Sequence, residues 1–411
     1  MKNIFKRLLN VKGMVVEDVS IDDSPLRPAP APVVRVRRRK GALRCPRCGR
    51  KCPKHDDGGG ERRWRHQDFG CYGVELMGLA PRVACAEHGV AAAQVPWAEP
   101  GSRFTGDFEM ECAWPAAVAN QKTVDGFPRI AWRTAGHIAR RVAARLEESA
   151  MPCMFDGPTA IGVDETSHRK GHTYITVAVD HKRRRVAWAH DGYGKEVPGL
   201  FLRQLTDEQR ASIKAVTGDG AEWIDASVKE RLPNAGRVPD SFHIVSRMSD
   251  APDQVRKRLR NQARRGNDKT ATEAMRGVRY AVPKNPEDLT ERQDTDPRGQ
   301  PYRSWQLKEL PRTLPRQPVG QAGAGLERWI FRASHSRIPE IVELCRKTRR
   351  RKDDIPKTIR PGHSNARPEA FNNKIKATIR MAYGFRHVDN LIAMIKLRCS
   401  GPPIHLPTPI L

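Results

Sequence analysis

Polar and apolar positions alternate in the first forty residues, and the period changes further along the chain. Residues 13–40 hold two extended segments, GMVVEDVSID and APVVRVRRRK, joined by a proline-rich connection at Pro25, Pro28, Pro30 and Pro32. The run Val33-Val34-Arg35-Val36-Arg37 reads as a strand with one basic face. From Trp114 to Glu148 the pattern turns helical, with a break near Gly126–Pro128. Beyond the break, Ile130, Ala131, Thr134, Ile138, Val142 and Leu146 recur near the helical period, and Arg133, Arg140, Arg141 and Arg145 surround the rest. Two helices and a turn, the second rich in arginine, fit a helix-turn-helix and equally an ordinary amphipathic pair.

A different rhythm begins at Thr159. Ala160–Asp164, Thr173–Asp180 and Arg185–His190 are short β-like runs; a helical stretch over Val197–Val216 follows, then Ala215–Asp219, a helix near Trp223–Leu232, and Arg237–Asp240. Strands first, then strand and helix in alternation, is the order of an α/β domain. Residues 256–360 are polar, basic and helical in tone, with Trp305 and Trp329 as sparse anchors.

Charge adds a class of partner. The 411 residues carry 74 Lys+Arg against 47 Asp+Glu, a formal net charge of +27. An excess of that size points to a polyanion, bound by phosphate neutralisation and counterion release. Ribosomal and membrane-surface proteins share the sign, so charge gives no mechanism. No apolar run approaches the roughly 18–20 residues of a membrane helix, and MKNIFKRLLNVKGM lacks the continuous apolar stretch and small-residue cleavage site of a signal peptide. Nine unevenly spaced cysteines argue against a disulfide framework and for a reducing cytoplasm.

Four of the cysteine and histidine positions have metal spacing. Cys45-Pro-Arg-Cys48-Gly49 and Cys85-Ala-Glu-His88-Gly89 share a two-residue gap and a trailing glycine. The gap turns both ligands onto one ion, and the four make a closed Cys₃His set suited to a structural zinc. Cys52-Pro-Lys-His55 offers a competing pair nearby.

Three acids form the second constellation. Asp164 ends the apolar run Ile161-Gly162-Val163, and Asp219 ends Ala215-Val216-Thr217-Gly218. Alone, an aspartate ending a strand is a turn former or helix cap. The segment 365–380, however, places Glu369, Asn372, Asn373, Lys376 and Arg380 on one helical face and Phe371, Ile375 and Ile379 on the other. Two strand-end aspartates and a glutamate on a covering helix make an oxygen-rich pocket of the kind that holds two Mg²⁺ ions against a phosphodiester.

With these residues in view, the sequence resembles the ISL3 family of bacterial insertion-sequence transposases along nearly its whole length. The resemblance is carried by Cys45–Gly49, Arg82–Gly89 with Val95-Pro96-Trp97-Ala98, Ile130–Thr134, Gly162–Ser167, Gly218–Gly220, Asp240–His243, Ser364–Lys376 and Ala382–Arg386. It implies a multidomain α/β chain: a zinc-binding β-rich module over 1–100, a helix-turn-helix over 101–150, the first part of an RNase H-like mixed α/β catalytic core over 151–255, a basic helical insertion over 256–360, and the second part of the core over 361–411.

It further implies Asp164, Asp219 and Glu369 as a DDE triad holding two catalytic Mg²⁺ ions, and one structural Zn²⁺ on Cys45, Cys48, Cys85 and His88. Lys376 matches the basic residue two helical turns after the glutamate. Arg133, Arg140, Arg141 and Arg380 join it as expected DNA contacts; the basic clusters Arg256-Lys257-Arg258 and Arg346–Lys352 fit a DNA backbone and equally a solvated surface. The implied partners are double-stranded DNA, as terminal inverted repeats and target, and a second copy of the chain. No membrane and no small-molecule cofactor is expected, and the implied location is the bacterial cytoplasm at the nucleoid. Rivals are a DNA-binding regulator with an inactive catalytic domain and an RNase H-like nuclease without strand transfer. One departure stands out: Pro368 precedes Glu369. With Asn365 as N-cap it falls in the first turn, where a missing N–H costs nothing, yet it disfavours α conformation at Arg367, so the expected helix starts late. This is the place where activity would be lost.

Overall fold

The structure, a computed structural model, describes residues 2–9, 12–25, 30–151, 153–219, 222–239, 241–290, 299–313, 319–350, 352, 366–401 and 404. Pro28, Gly220, Asp240, Ser364 and Asn365 lie outside the described residues, as does most of the proline-containing tail. The chain divides into two compact units, residues 1–150 with 378–411, and residues 151–377.

The first unit opens with helix α1 (Lys2–Leu9) and seven strands: β1 (Met14–Asp22), β2 (Ala31–Arg38), β3 (Lys54–Asp56), β4 (Glu61–Phe69), β5 (Tyr72–Leu79), β6 (Arg82–Cys85) and β7 (Gly89–Ala92). One sheet has the order β1-β2-β5-β4, the other β3-β6-β7. The basic-face strand falls where the alternation put it. Val33, Val34 and Val36 of β2 are buried, while Arg35 and Arg37 reach out to Glu61 and Glu17 at 2.7 and 2.8 Å. The core adds Phe5 and Leu9 of α1, Leu76, and the edge-on pair Trp64 and Trp97, 5.4 Å between centroids.

Helices α2 (Gly106–Val118), α3 (Gln121–Gly126) and α4 (Trp132–Ala150) follow. Thr105 caps α2 by accepting from the Phe108 amide, so this helix starts eight residues before the apolar period becomes visible at Trp114. Two more helices complete the described elements of the C-terminal region, α13 (Ala366–Met381) and α14 (Val388–Cys399), in a numbering that leaves α5–α12 for the second unit. The sequence groups all of residues 361–411 with the catalytic core, but α14 packs on α4 and α2 in the first unit. Its buried Leu391, Met394 and Ile395 supply the apolar face, and Lys396 bonds Glu147 at 2.6 Å.

The second unit holds a five-stranded sheet of β8 (Ala160–Arg169), β9 (Thr173–Asp180), β10 (Arg185–Asp191), β11 (Ala215–Gly218) and β12 (Gly236–Pro239). The order is β10-β9-β8-β11-β12. The first three strands are antiparallel neighbours, while β11 runs parallel to both β8 and β12. That mixed sheet, with helices in its crossovers, is the α/β core the strand–helix order predicts. The single helix read over 197–216 is two, α5 (Glu196–Gln204) and α6 (Asp207–Ser212). Thr206 divides them because it caps α6 in a reciprocal capping box with Gln209. Helix α7 (Glu222–Arg231) lies between β11 and β12.

The insertion is helical: α8 (Ser241–Arg265), α9 (Lys269–Gly277), α10 (Gln300–Thr313), α11 (Val319–Ser334) and α12 (Pro339–Arg349). It has its own core of Val255, Leu326, Trp329, Ile338 and Ile341. No described helix is long and apolar enough to cross a membrane.

Candidate functional site

The zinc site is built by two turns. An isolated bridge between Arg44 and Lys51 closes the first around Cys45 and Cys48, and the β6–β7 hairpin closes the second around Cys85 and His88. Gly49 and Gly89 both adopt the left-handed conformation, φ +70° and +69°, which is why glycine trails each pair. The side chains converge: Cys48 Sγ to Cys85 Sγ is 3.8 Å, Cys45 Sγ to His88 Nδ1 is 3.9 Å, and Cys85 Sγ to His88 Nδ1 is 3.7 Å. Zn–S and Zn–N bonds of about 2.3 and 2.0 Å at tetrahedral angles separate ligand atoms by about 3.6–3.8 Å, so this quartet fits a structural zinc. Hydrogen bonding to His88 holds the Cys85 thiol down to about 6. Of the competing pair, Cys52 stays beside Cys85 while His55 turns away. Cys52 bonds the Arg50 carbonyl at 3.5 Å, and His55 lies 2.9 Å from Asp56. Among the described residues this quartet is the only group of three or more His, Cys, Asp or Glu with ligand atoms mutually within 4.8 Å.

The acidic site sits where β8 outlasts β11. Val163 pairs with Gly218 in the parallel register, so Asp164 and Asp219 are each the next residue on neighbouring strands. Arg237 of β12, itself buried, fixes the end of β11: it donates to the Val216 carbonyl at 3.1 Å and to the Asp219 carbonyl, and reaches Asp225 at 2.9 Å. Nothing in the local sequence announces this arginine; it is one basic residue among 74.

Helix α13 supplies the third acid. It begins by Ala366, not after the proline, and Arg367 is helical. Pro368 is therefore in the first turn, among N–H groups that have no helical acceptor. It also has a function in packing. A Cβ added to Gly162 would lie 2.4 Å from Pro368 Cγ, so the proline occupies a notch that only glycine leaves in β8. Arg367 donates to the His181 carbonyl, and Asn372 Nδ2 donates to Asp164 Oδ2 at 2.7 Å.

The two contacts on β8 fix the direction of the helix. Pro368 and Asn372 are four residues apart, about 6 Å along a helix, and Gly162 and Asp164 are two apart, about 6.6 Å along a strand. With matched rises, α13 lies along β8, and Glu369, three residues before Asn372, is its neighbour on the helix surface. Glu369 is exposed and Asp164 and Asp219 are half-buried. The helix is turned from the face the periodicity predicts: Asn372 belongs to the buried stripe with Pro368 and Ile375, while Asn373, Lys376 and Arg380 are exposed. A further carboxylate, Glu165, lies near Asp219. Burial and then the charge of Asp219 push the Glu165 carboxyl up, against a 2.8 Å bond from the Gly194 amide.

Asn372 Oδ1 is buried with no hydrogen-bond partner among the described residues. A carbonyl oxygen left without a donor beside a carboxylate that its own amide already holds is suited to a cation or a cation's water. Asp164, Asp219, Glu369 and this oxygen are all hard oxygen donors of the kind Mg²⁺ takes, but the three carboxylates do not lie mutually within 4.8 Å.

Of the arginines on α4, Arg133 is exposed. Arg140 lies 2.7 Å from His137 and 3.9 Å from Asp389. Arg141 grips Glu109, whose side chain is fully buried, through Nε and Nη2 at 2.9 and 2.6 Å. That guanidinium ties α4 to α2, so Arg141, half-buried, is engaged within the unit. The insertion's first basic cluster is similarly committed: Arg256 and Lys257 pair with Asp253, and Arg258 pairs with Glu340 at 2.7 Å. In the second cluster, Arg346 and Lys347 lie 2.9 and 3.7 Å from Glu343 on the helix surface.

Comparison with known proteins decides the family. A model of the ISL3-type DDE transposases matches residues 161–395, and a model of the zinc-finger of transposase IS204/IS1001/IS1096/IS1165 matches residues 42–88. The chain belongs to the ISL3 family of transposases. The transposase for insertion sequence element IS1557 of Mycobacterium tuberculosis is 38% identical over 439 aligned positions, covering 99% of this chain and 97% of the relative. The transposase for insertion sequence element IS1001 of Bordetella parapertussis is 26% identical over 368, covering 87% and 88%. Each matched region of this ISL3 chain covers one of the two constellations. The zinc-finger match contains all four metal ligands and ends on His88, and the transposase match spans Asp164, Asp219 and Glu369.

Proposed function

We propose that this chain is the DNA transposase of an insertion sequence, with Asp164, Asp219 and Glu369 as its catalytic acids. Two Mg²⁺ ions held by these carboxylates would activate the attacking oxygen and stabilise the leaving one, first in hydrolysis that frees a 3′-OH and then in its attack on target DNA. The chain's residues do the positioning. Arg237 holds the strand end that carries Asp219, Asn372 orients Asp164, and Pro368 seated on Gly162 sets the height of Glu369. No serine or tyrosine nucleophile is required.

Recognition of terminal inverted repeats falls to the zinc module and the helix-turn-helix, with Arg133 at the start of α4 and Arg140 in support. Lys376 and Arg380, exposed on α13, would contact the DNA backbone near the acids. Two element ends must be joined, so at least a dimer acts on DNA, in the cytoplasm at the nucleoid.

The observation that carries this reading is the Asn372–Asp164 bond. It brings α13 onto β8 beside Asp164 across 208 residues of sequence. The test uses purified protein, labelled DNA bearing the element's own ends, and Mg²⁺, comparing wild type with Asp219→Ala. Metal-dependent nicking and joining by wild type, both lost in the variant, is the expected result. Specific binding by both proteins with no cutting by either overturns it.

A further inference from the structure

The helical insertion contains a cleft of about 670 Å³ between α10 and α11, remote in sequence from all three acids. Its lining includes Trp305 from α10, Phe331 from α11 and His335 in the turn that follows it, with Arg303 and Arg332 beside them. We propose that this cleft binds one unpaired nucleotide of single-stranded DNA, stacked on Phe331 and held through its phosphates by Arg303 and Arg332.

The aromatic groups are set as a platform. Trp305 is fixed by a 3.0 Å bond from Nε1 to the Lys284 carbonyl, with Tyr302 stacked on it at 5.9 Å and Lys308 Nζ 5.7 Å from its ring. Phe331, by contrast, is 65% exposed, although its neighbours Trp329 and Ile330 are buried in the insertion's core. His335 lies 4.4 Å from the Phe331 ring and donates Nδ1–H to the Phe331 carbonyl at 2.8 Å, which fixes the imidazole at one edge of the platform. An exposed phenyl braced from one side offers a free π-face.

The cations suit a strand. Arg303 and Arg332 are exposed, and only one Arg303 nitrogen is engaged, with the Ser336 carbonyl at 3.2 Å. Glu309 also lines the cleft, and Lys308 neutralises it at 2.9 Å. No lining residue is a glycine, so the site lacks the backbone cradle of a polyphosphate binder. Two spaced arginines and an exposed ring match instead the sugar–phosphate track and stacking surface of single-strand recognition. A duplex presents base edges only; an aromatic face can be used only by a base that has left its pair.

The inference rests on the chain acting on DNA, and its test separates the two. Full-length, zinc-loaded protein is titrated with a short labelled oligothymidylate, with thymidine monophosphate as competitor and the element's duplex end as control. Phe331→Ala and Arg332→Ala should each weaken oligothymidylate binding, the former by about tenfold, and leave duplex-end affinity unchanged. Phe331→Trp should keep the affinity and Phe331→Leu lose it, because stacking needs a ring and general apolar packing does not. Wild-type affinity in Phe331→Ala, or equal retention by Phe331→Leu, overturns the proposal, as does competition by free monophosphate as strong as by the strand. Ring-dependent binding in a protein that never cuts element ends would sustain the cleft and defeat the catalytic reading alone.

Discussion

Replacing Gly162 by alanine tests whether the seat of Pro368 sets the position of the catalytic glutamate. The added methyl would lie 2.4 Å from Pro368 Cγ, 2.9 Å from Thr217 Oγ1 and 3.1 Å from His181 Nε2. Thr217 and His181 cannot yield easily, since they are buried and bonded to each other at 2.8 Å. The proline must therefore retreat, by about 1 Å to regain ordinary carbon–carbon contact. Overpacking of this kind costs about 1–3 kcal/mol, partly offset by the roughly 0.5–1 kcal/mol that alanine gains over glycine in a strand. The net loss of about 1–2 kcal/mol lowers the melting temperature by several degrees and leaves the fold intact. Activity is more sensitive. Glu369 follows Pro368 directly, and a displacement near 1 Å in a reacting group costs about 100-fold. The assay is Mg²⁺-dependent cleavage of a labelled element end, with affinity for the same DNA measured in parallel. Cleavage should fall about 100-fold while affinity stays at the wild-type value. Adding Pro368→Ala to Gly162→Ala removes the colliding ring carbon and should restore most of the rate. Wild-type cleavage in the single variant, or no recovery in the double, would refute the reasoning.

Four further outcomes are expected. Asn372→Ala should leave Asp164 unsupported and raise the Mg²⁺ concentration needed for half-maximal cleavage, a shift read directly from a metal titration. Cys85→Ser or a strong chelator should release one zinc per chain by elemental analysis and open residues 42–88 to protease, with release easier at low pH because the ligands must be deprotonated. Burial holds His66 down to about 4 from its usual 6.5. A depressed histidine stabilises fully above its unfolded value, and that stability is lost as pH falls from about 6.5 towards 4; a shift of that size is worth roughly 3 kcal/mol, so denaturant midpoints should drop across this window and less so in His66→Gln. Arg141→Ala should cost about 3 kcal/mol by stranding the buried Glu109 carboxylate, whereas Arg133→Ala should leave the midpoint unchanged and weaken binding to the element end.

Local patterns were legible because local geometry enforces them. A two-residue gap and a trailing glycine are what a metal-binding turn demands, so Cys45, Cys48, Cys85 and His88 can be read without knowing where the turns meet. Asp164 and Asp219 announce themselves by four apolar or small residues before an acid, although β8 runs on past Asp164 to Arg169 and only Asp219 follows a strand end. Partnerships across the chain are not written that way. Arg141 and Arg133 share a helix and a charge, and only Glu109, 32 residues away, distinguishes a structural arginine from an exposed one. Arg256, Lys257 and Arg258 look like a phosphate-binding run until Asp253 and Glu340 are placed against them. Charge clusters report composition; their availability depends on packing.

Helix α13 shows how a polar pattern can mislead by one residue and still hold the answer. Periodicity put Asn372 on the solvent face because amides are usually there. An amide that donates to a carboxylate has a polar partner inside, however, and that charge-assisted bond offsets much of the cost of its burial. Asn372 can therefore turn inward, and the helix rotates so that Pro368, Asn372 and Ile375 form the packed stripe. The same rotation explains the proline. A ring with no N–H to satisfy is a good wedge for the notch at Gly162, and in the first turn it breaks no helical bond. Gly-x-Asp on the strand and Pro-x-x-x-Asn on the helix are thus complementary spacings, equal in length within about 1 Å by their rises. Pro368 and Asn372 are thus the two residues that seat α13 on β8.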